Sequence, residues 1–455
     1  MVFNLVIASI TTNAQLATTH YWNNAKPGIR GASRVGAGAM PQTCPGSEWL
    51  VTSRPTRAHR RPISRVGPPA GIRSRAVSAA DRPAPTVNGL RCSSSDLQTI
   101  VGVAMKVLVA GDRGYIGAVL VPFLRAAGHN VDGLDLGLYE GCDLGPGPED
   151  TSSRARLDLR DVEPRHCSGY DAVICLAALS NDPVGHLNPA ATYSINLDGT
   201  LRLGQAAKKA AVERFLFASS CSLYGSAGSQ AVTEEAELSP VTPYGETKAQ
   251  AERELSRLAD DSFSPTYLRN ATAYGFSPRL RLDIVVNNLT AVAMTTGEVC
   301  LQSDGSPWRP LVHVEDICRS FLAMLEAPRE LVHDEAFNVG RAEDNVQVRD
   351  IAEVVREAVP GSRVTFATEA GPDLRDYRVD FSKLTAVFPD LNLRWSVPAG
   401  VNELVQAYTD YNFSHDDFVS SSFVRLRRIQ ELLSAGVIDD MLRLQPSGVP
   451  AASGS

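Results

Sequence analysis

The sequence predicts an α/β fold in which a doubly wound parallel sheet is followed by a smaller C-terminal lobe. Strand and helix patterns alternate from Met105 onward, starting with a strand over 106–110 and an apolar-periodic helix over 118–127 that Gly128 ends. A glycine-rich turn, GDRGYIG, joins that strand to that helix. After about Arg269 the alternation loosens into shorter units, as expected where a lobe is assembled over one end of a sheet.

Later segments continue the alternation. The predicted elements are strands at 130–136, 155–159 and 171–178 and helices at 191–210 and 243–259. The run FLFASSCSLYG (215–225) begins like a fully buried parallel strand and ends in small hydroxyl side chains. After about Asn412, the amphipathic stretch FVRLRRIQELLSAGV predicts a helix that docks on the body or on a second subunit.

Composition and cysteine content exclude several classes of protein. The 455 residues are 44% hydrophobic and 21% charged, and no apolar run approaches the roughly 18 residues of a membrane span, so we expect no membrane association. Eight scattered cysteines without a C-x-x-C pair favour reduced thiols over a disulfide framework or a zinc site, and nothing indicates a metal. The predicted location is therefore cytoplasmic.

The charge is divided unevenly along the chain. Residues 1–104 carry 12 lysines and arginines against three acids, which makes this part +9, whereas the remainder is −16 within a total of −7. An acidic body argues against nucleic-acid binding by the folded part of the protein.

The first 104 residues are rich in Arg, Pro and Gly and show little helix or strand period, so we expect a disordered extension there. Three interpretations stay open: a mis-assigned start, with Met105 as the first native residue; an organelle leader; and a basic tail that contacts polyanions. The stretch has no clear secretory signature because its apolar start lacks a basic region.

The turn GDRGYIG places Gly111, Gly114 and Gly117 between a strand and the start of a helix. Glycines permit a tight turn and close approach of the backbone, and the free N–H groups of a helix N-terminus bind a pyrophosphate. The G-x-x-G-x-x-G spacing differs from the commoner G-x-G-x-x-G. The strand–turn–helix context is nevertheless the one that dinucleotide binding requires.

Two acids follow at the ends of the next predicted strands. Asp135 comes 18 residues after Gly117, where a carboxylate accepts hydrogen bonds from the adenosine ribose and repels a 2′-phosphate. No Lys or Arg lies between Asp135 and Ser152 to bind such a phosphate, so NAD is favoured over NADP. The alternative is that Asp135 is a solvated loop acid. Asp158 is a candidate for the adenine amino group.

Tyr244 and Lys248 lie one turn apart on the helix predicted from PYGETKAQAERELSRLA. A phenol with its ordinary pKa of about 10 is a poor base at neutral pH, but a nearby ammonium favours the phenolate. Such a pair can remove a proton from a substrate hydroxyl. The Y-x-x-x-K spacing alone is common on surface helices, and it is the dinucleotide turn and the serine-ended strand upstream that favour chemistry.

These segments together resemble the extended short-chain dehydrogenase/reductase family, in particular its nucleotide-sugar epimerases and dehydratases, such as the UDP-glucose/galactose 4-epimerases. The resemblance covers about 105–411 and rests on GDRGYIG, LAA (176–178), INLDGT (195–200), FLFASSCSLYG, PYGETK and WRPLVHVEDI (308–317). It implies a Rossmann-like NAD-binding domain over 105–268, a lobe over 269–412 that mainly binds a nucleoside-diphosphate sugar, and a helix with a flexible tail over 413–455. It also implies a homodimer.

The resemblance assigns roles to individual residues. It implies that Ser220 is the catalytic hydroxyl, Tyr244 the base, Lys248 its partner and Asn196 a supporting asparagine. At the cofactor it places Gly111, Gly114, Tyr115, Ile116, Gly117, Asp135, Asp158, Leu159, Leu176, Ala177, Ala178, Tyr244 and Lys248. At the substrate it places Asn287, Asn288, Arg309 and Arg375, with Arg378 as an alternative to Arg375. Thr272 departs from the family, which often has Asn there.

The residues after Ser220 separate the reactions of this family. Dehydratases resembling the 4,6-type place Asp-Glu there, and Cys221 and Ser222 cannot supply that acid–base pair. Enzymes similar to GDP-fucose synthase carry a cysteine at the position of Ser222, and Cys221 would point the other way in an extended backbone. The expected reaction is therefore NAD-dependent epimerisation at C4 of a nucleoside-diphosphate sugar through a transient 4-keto intermediate. The alternatives are a 4-ketoreductase or dehydrogenase, a dehydratase, and a non-catalytic NAD-binding module.

Overall fold

The computed structural model describes residues 104–147, 155–180, 182–225, 230–367 and 376–445. The strands are β1 (Lys106–Ala110), β2 (Asn130–Asp135), β3 (Ala155–Arg156), β4 (Ala172–Cys175), β5 (Arg214–Ser220), β6 (Ala231–Val232), β7 (Ser264–Asn270), β8 (Thr272–Tyr274), β9 (Glu298–Leu301), β10 (Trp308–His313), β11 (Glu335–Val339), β12 (Asn345–Gln347), β13 (Arg363–Phe366) and β14 (Arg378–Val379).

The helices are α1 (Gly117–Ala126), α2 (Pro164–Cys167), α3 (Asp182–Leu187), α4 (Pro189–Tyr193), α5 (Thr200–Lys209), α6 (Pro243–Ser256), α7 (Val285–Thr296), α8 (Val314–Glu326), α9 (Arg329–Val332), α10 (Val348–Ala358), α11 (Ser382–Val387), α12 (Val397–Asp410), α13 (His415–Val419) and α14 (Arg425–Ser434). Short 3-10 turns lie at Leu159–Asp161, Cys221–Tyr224 and Ala342–Asp344, and a π-turn lies at Ser194–Gly199.

Within the described ranges, seven parallel strands form the central sheet in the order β11-β7-β5-β4-β1-β2-β3. Strands such as KVLVA and AVIC are apolar throughout, as expected where helices cover both faces of a sheet. The sheet confirms the predicted doubly wound α/β fold. Because the carboxyl ends of parallel strands share one edge, the turn after β1 and the residues that end β2, β4 and β5 lie along that edge.

Each face of the sheet has its own apolar core. On one face α1, α8 and α11 pack on the sheet, and on the other α2, α5 and α6 do. Leu120 and Leu124 of α1 are fully buried, and burial of a leucine side chain contributes about 2 kcal/mol to stability. The two helical layers therefore fix the strand ends on which the site is built.

The smaller lobe has a separate core, formed by α7, α10 and α12 with the strands β8, β9 and β10. The chain does not divide cleanly at the predicted boundary between 268 and 269, because β11 comes after that boundary and yet pairs with β7 in the central sheet. The predicted domain limits stay predictions. What the structure describes is a sheet that draws on the chain from both sides of that boundary.

Two predicted elements differ in the structure. The strand expected over 155–159 is shorter, because the Asp158 side chain accepts a hydrogen bond from the N–H of Arg160 at 2.9 Å and so starts a 3-10 turn. The helix expected over 191–210 is interrupted by the π-turn, which contains Asn196. Such wide turns are frequent at functional sites.

Several expectations concern residues beyond the described ranges. The extension before Ala104, the tail 446–455 and Arg375 all lie outside them. Among the described residues, no helix is long and apolar enough to cross a membrane, and no group of three or more His, Cys, Asp or Glu side chains could hold a metal ion. The free, buried cysteines of these ranges are Cys142, Cys167, Cys175, Cys221 and Cys318.

Candidate active site

The glycine turn after β1 forms a backbone cradle. Gly111 has φ +91°, a left-handed value that favours glycine, and a Cβ there would lie 2.6 Å from the amide nitrogen of Ala177. A Cβ on Gly117 would overlap the carbonyl oxygen of Gly111, and the N–H of Gly114 donates to that oxygen at 3.1 Å. These close approaches exclude side chains, so a pyrophosphate can approach the N-terminus of α1.

Tyr115 and Ile116 directly precede α1. The Tyr115 side chain is buried, and its hydroxyl donates to the carbonyl oxygen of Gly275 at 2.6 Å. The Ser277 hydroxyl donates in turn to the carbonyl oxygen of Tyr115 at 2.8 Å. Burial raises the pKa of Tyr115 far above its ordinary value, so its phenol stays a hydrogen-bond donor that ties the glycine turn to the chain after β8.

The LAA segment after β4 lies beside the glycine turn. The N–H groups of Leu176 and Ala177 donate to the carbonyl oxygen of Ala110 at 2.8 and 3.0 Å. Ala178 follows on the same half-buried stretch. The two backbone segments are thereby held side by side at the carboxyl edge of the sheet.

The Asp135 carboxylate at the end of β2 is held by backbone groups. Its Oδ1 accepts from the N–H of Gly137 at 2.7 Å and its Oδ2 from the N–H of Arg113 at 3.3 Å. Two nearby cations, Arg113 and Arg156, lie outside the loop that follows Asp135, and sequence reasoning therefore missed them. Both side chains pair with Glu140, which offsets their charge beside the ribose position.

Asp158 and Leu159 lie at the neighbouring 3-10 turn. The Asp158 carboxylate accepts from Nε of Arg160 at 2.9 Å and from its Nη2 at 2.6 Å. Burial would raise the pKa of Asp158, but the hydrogen bonds and the charge of Arg160 bring it below its ordinary value. The carboxylate is thus already bound by Arg160, and its contact with adenine stays a prediction. Leu159 is buried in the core of the sheet.

The structure brings Ser220, Tyr244 and Lys248 together. Ser220 ends β5, and Tyr244 and Lys248 lie on successive turns of α6, which Thr242 caps by accepting from the N–H of Gly245 at 3.2 Å. The Ser220 side chain lies close enough to the Tyr244 phenol to lower its pKa. Nζ of Lys248 lies 5.7 Å from the centre of the Tyr244 ring. This is the arrangement of hydroxyl, phenol and ammonium that the sequence predicts.

Burial controls the protonation of this group. It raises the pKa of Tyr244 to about 12, although the Ser220 side chain and the positive charge of Arg281 act in the opposite direction. Burial also lowers the pKa of Lys248 to about 8, and its Nζ donates to the carbonyl oxygen of Ala218 at 2.7 Å. Because burial favours both neutral forms, neighbouring positive charge decides how readily Tyr244 gives up its proton.

Asn196 positions two segments of the site. Its Oδ1 accepts from the N–H of Leu179 at 2.8 Å, and its Nδ2 donates to the carbonyl oxygen of Leu179 at 3.1 Å and to Oγ1 of Thr247 at 3.4 Å. Leu179 follows the LAA segment, and Thr247 precedes Lys248 on α6. The fully buried amide therefore links the chain after β4 to the helix that carries the phenol and the ammonium.

A buried ion pair that sequence reasoning missed fixes α6 on the sheet. Nη2 of Arg269 on β7 lies 2.7 Å from Oε2 of Glu252, one turn after Lys248, and its Nε donates to Oε1 at 3.1 Å. Nη1 of Arg269 donates to the Tyr224 hydroxyl at 3.0 Å, and that hydroxyl donates to Oδ1 of Asn338 at 2.7 Å. The available signal was a charged residue inside a strand that is otherwise buried.

Cys221 and Ser222 lie next to Ser220 in different environments. Burial raises the pKa of the Cys221 thiol, and its Sγ donates to the carbonyl oxygen of Arg269 at 3.1 Å. The N–H of Ser222 donates to Oγ of Ser220 at 3.2 Å. The Ser222 hydroxyl is buried and has no hydrogen-bond partner among the described residues, which makes it a candidate substrate contact that sequence reasoning missed.

Asn287 and Asn288, in the first turn of α7, have different partners. Asn287 is fully buried, its Oδ1 accepts from the N–H of Gly275 at 3.0 Å, and its Nδ2 donates to the carbonyl oxygen of Gly275 at 3.1 Å. Both amide groups of Asn287 are thus used within the protein, and its contact with the substrate phosphates stays a prediction. Asn288 is half-buried, and its Nδ2 donates to the carbonyl oxygen of Leu282 at 2.9 Å.

Arg309 lies on β10, which pairs with β8 and β12. It is 6% exposed, and its Nη1 donates to the carbonyl oxygen of Trp308 at 2.8 Å. Arg375 lies outside the described residues, so the structure does not place it. The alternative, Arg378, lies with its guanidinium carbon 5.0 Å from the centre of the Trp308 ring and is thus close to the strand of Arg309.

The residues at the sheet edge fit a dinucleotide. The glycine cradle accommodates a pyrophosphate because side chains are excluded at Gly111 and Gly117. The acceptor at Asp135 suits an adenosine ribose with a free 2′-hydroxyl. Tyr244 and Lys248 lie beyond the LAA segment, where the reacting end of such a cofactor would come.

Comparison with known proteins agrees with this geometry. Residues 107–340 match the NAD dependent epimerase/dehydratase family. The chain is 31% identical over 280 residues to the UDP-glucose 4-epimerase of Lactobacillus helveticus, an alignment that covers 55% of this chain and 82% of that protein. It is 26% identical over 333 residues to the UDP-glucose 4-epimerase of Bacillus subtilis, covering 66% and 94%.

Solved structures show the same likeness. The Thermus thermophilus UDP-glucose 4-epimerase in complex with NAD has a TM-score of 0.57 and 25% identity, covering 67% of this chain and 99% of that one. MoeE5 in complex with UDP-glucuronic acid and NAD has a TM-score of 0.57 and 27% identity, with the same coverage. The chain therefore belongs to the NAD-dependent epimerase/dehydratase family, and its cofactor is NAD.

Proposed function

We propose that this protein interconverts a nucleoside-diphosphate sugar and its C4 epimer through a transient 4-keto sugar. The observation that carries the proposal is the arrangement of Ser220, Tyr244 and Lys248, next to which Cys221 and Ser222 supply no second acid–base pair. The named relatives are UDP-glucose 4-epimerases, which supports a UDP-hexose as the first substrate to test.

In this proposal Tyr244 is the base that removes the proton from the C4 hydroxyl of the sugar. Oγ of Ser220 accepts a hydrogen bond from the N–H of Ser222. This bond orients the hydroxyl proton of Ser220 towards the reacting oxygen. Lys248 supplies the positive charge beside the phenolate. NAD, when bound, supplies the acceptor and donor of hydride at C4. Tyr244 finally returns its proton to O4, so the residues end the cycle as they began.

The reaction stops at epimerisation because the site offers nothing for a further step. A dehydration needs an acid and a base close to C5 and O6. Cys221 does not supply either group, because it is buried and its thiol donates a hydrogen bond to a backbone carbonyl oxygen. A hydroxyl at Ser222 orients substrate but is a poor acid or base near neutral pH. Return of the hydride to the other face of the keto sugar needs no group beyond Tyr244 and Ser220.

We assign the diphosphate of the substrate to the smaller lobe. Arg309 is the principal candidate because a guanidinium presents two parallel donors to phosphate oxygens. Asn288 is a second candidate, and Arg375 or Arg378 a third. Asn287 contributes by holding the turn at Gly275.

The proposal is tested by incubating the purified full chain with UDP-, GDP-, dTDP- and CDP-hexoses. Product stereochemistry is followed by NMR and NADH by its absorbance. We expect conversion of one 4-epimer pair to equilibrium without net NADH. NADH formed in proportion to product would favour a dehydrogenase instead, and unchanged turnover in Tyr244→Phe would contradict any catalytic role for this site.

A homodimer and a cytoplasmic location stay predictions from the family resemblance and the composition. Light scattering coupled to size-exclusion chromatography tests the first, and cell fractionation tests the second.

A further inference from the structure

The segment 425–445, which we call the terminal segment, is bonded to the turn beside the adenosine position. Nη1 of Arg160 donates to the carbonyl oxygen of Met441 at 2.8 Å. Nη1 of Arg443 lies 2.7 Å from Oδ2 of Asp161 and 3.7 Å from Oδ2 of Asp158. The terminal segment thus contacts the 3-10 turn through both backbone and charged side chains.

The terminal segment also contacts the loop after β2. Nε of Arg428 donates to the carbonyl oxygen of Leu138 at 3.4 Å, three residues after Asp135. The guanidinium carbon of Arg425 lies 3.9 Å from the centre of the neighbouring Tyr139 ring. Both contacts come from α14, so the helix lies across the loop that follows the ribose-binding acid.

Apolar packing holds the terminal segment in place. Its buried residues share a cluster with the chain after β4, and the members of that cluster are Leu179, Val184, Ala191, Ile429, Leu432, Ile438 and Leu442. The Asn188 side chain adds a hydrogen bond from its Nδ2 to the carbonyl oxygen of Asp440 at 2.6 Å. The docking is therefore specific and not confined to surface charges.

A small cavity lies between the terminal segment and the sheet edge. The sheet contributes residues that follow β2 and end β3, and the terminal segment contributes the opposite wall; the lining is Gly137, Leu138, Glu140, Arg156, Arg428, Leu432, Val437 and Leu444. Asp135 is paired with Arg156 in the register of β2 and β3. The cavity, of about 20 Å³, therefore borders the place where the adenosine of a dinucleotide held by Asp135 would come.

We propose that the terminal segment is part of the NAD site: it forms the outer wall of the adenosine pocket and slows the release of the cofactor. For a dinucleotide to leave past this wall, contacts of the segment with the loop after β2 and with the 3-10 turn must separate. The benefit of slow release rests on the proposed function, since a 4-epimerase must keep one NAD bound while the hydride leaves C4 and returns.

The experiment measures how fast the full protein, loaded with NADH, loses it on mixing with excess NAD, followed by NADH fluorescence and without any sugar. Two variants are compared with the unaltered protein: Arg443→Glu, which repels Asp158 and Asp161, and a chain ended after Gly436. We expect release about tenfold faster or more, equivalent to about 1.4 kcal/mol. Release of reduced nicotinamide mononucleotide, which lacks the adenosine half, should be unchanged.

The matched control is Arg363→Glu, which makes the same charge change on β13, where Arg363 pairs with Glu298. It should release NADH at the unaltered rate. If the shortened chain does not fold, Arg443→Glu alone decides the matter. Release at the unaltered rate, or slower, in the folded variants would overturn the proposal. Because no sugar is present, this result is independent of whether the protein is an epimerase.

Discussion

The ammonium of Lys248 lies 5.7 Å from the centre of the Tyr244 ring and donates a hydrogen bond to the carbonyl oxygen of Ala218 at 2.7 Å. The hydrogen bond fixes the charge beneath the phenol, on the side of β5. Lys248 is only 2% exposed, so water cannot screen the effect of its charge on Tyr244. The relationship leads to predictions on both rate and stability.

Removing the phenol should stop the reaction without emptying the site. In Tyr244→Phe we expect kcat to fall by about a thousandfold or more, since the base is lost, while Ser220→Ala, which loses one orienting hydroxyl, should cost about tenfold to a hundredfold. Steady-state kinetics with the identified sugar measure both. NAD binding is the control and should stay within about twofold; equal losses in the two variants would argue against their separate roles.

The buried charge of Lys248 should cost stability. Its pKa is lowered from 10.5 to about 8 by burial, so between those values the unfolded chain binds more protons and stability rises with pH. Below pH 8 the cost is fully present, about 3 kcal/mol. Lys248→Met should therefore be inactive yet more stable than the unaltered protein at pH 7. The gain in unfolding free energy should be at most the cost of the buried charge, minus the contribution of the lost hydrogen bond to Ala218. Denaturant unfolding at several pH values tests this.

The contrary outcome for Lys248→Met is simple to recognise. The stability difference between the variant and the unaltered protein should shrink between pH 8 and pH 10.5, as the lysine of the unaltered protein becomes neutral in both states. A difference that is constant over this range, or a variant less stable at pH 7, would mean that burial does not disfavour the charge.

Arg281 should set the pH dependence of the rate. Its positive charge lowers the pKa of Tyr244, against the larger effect of burial. In Arg281→Met we expect the rising limb of kcat/KM to move to higher pH, and activity at pH 7 should fall about tenfold for each pH unit that the limb moves. Arg281→Lys keeps the charge and is the matched control. A limb that moves equally in both variants would assign the effect to the contacts of Arg281 and not to its charge.

Arg309 should act on the substrate and not on the cofactor. If its guanidinium binds the diphosphate, Arg309→Ala should raise KM for the nucleotide sugar about tenfold to a hundredfold, with a smaller change in kcat and unchanged NAD binding. Arg309→Lys should recover only part of the loss, because an ammonium lacks the two-pronged geometry. An unchanged KM in Arg309→Ala would remove this residue from the substrate site.

Cys221 should prove dispensable for chemistry. It is 1% exposed, its thiol donates a hydrogen bond to the carbonyl oxygen of Arg269, and burial raises the pKa of the thiol. Cys221→Ala is therefore expected to keep activity within about twofold and to lose about 1 kcal/mol of stability, measured by thermal or denaturant unfolding. A large loss of activity with an intact fold would point to a covalent or acid–base role for the thiol.

Local patterns predicted much of this structure. The strand over 106–110, the glycine turn and the one-turn separation of Tyr244 from Lys248 each follow from residue spacing within a single element. These features depend on backbone geometry that a short sequence determines. The central sheet followed because alternating strands and helices admit few arrangements.

Long-range pairing explains what sequence patterns could not predict. Asp158 was expected to contact the adenine. In the structure its carboxylate accepts a hydrogen bond from Arg160, and Arg443, far along the chain, lies beside that carboxylate. Asn287 was expected to contact the substrate phosphates, and in the structure its side chain is hydrogen-bonded to the backbone of Gly275. A sequence shows that a polar side chain is present, but not which of several nearby groups will bind it once the chain has packed.

The most direct test of the proposed reaction is the fate of deuterium placed at C4 of a UDP-hexose. We predict that the 4-epimer product keeps that deuterium at C4 and takes up none from solvent at C3 or C5, because the hydride removed from C4 returns to C4. Appearance of the deuterium in free NADH would show a dehydrogenase. Exchange with solvent at C5 would show a dehydratase-like step. Either result would contradict the proposed 4-epimerisation.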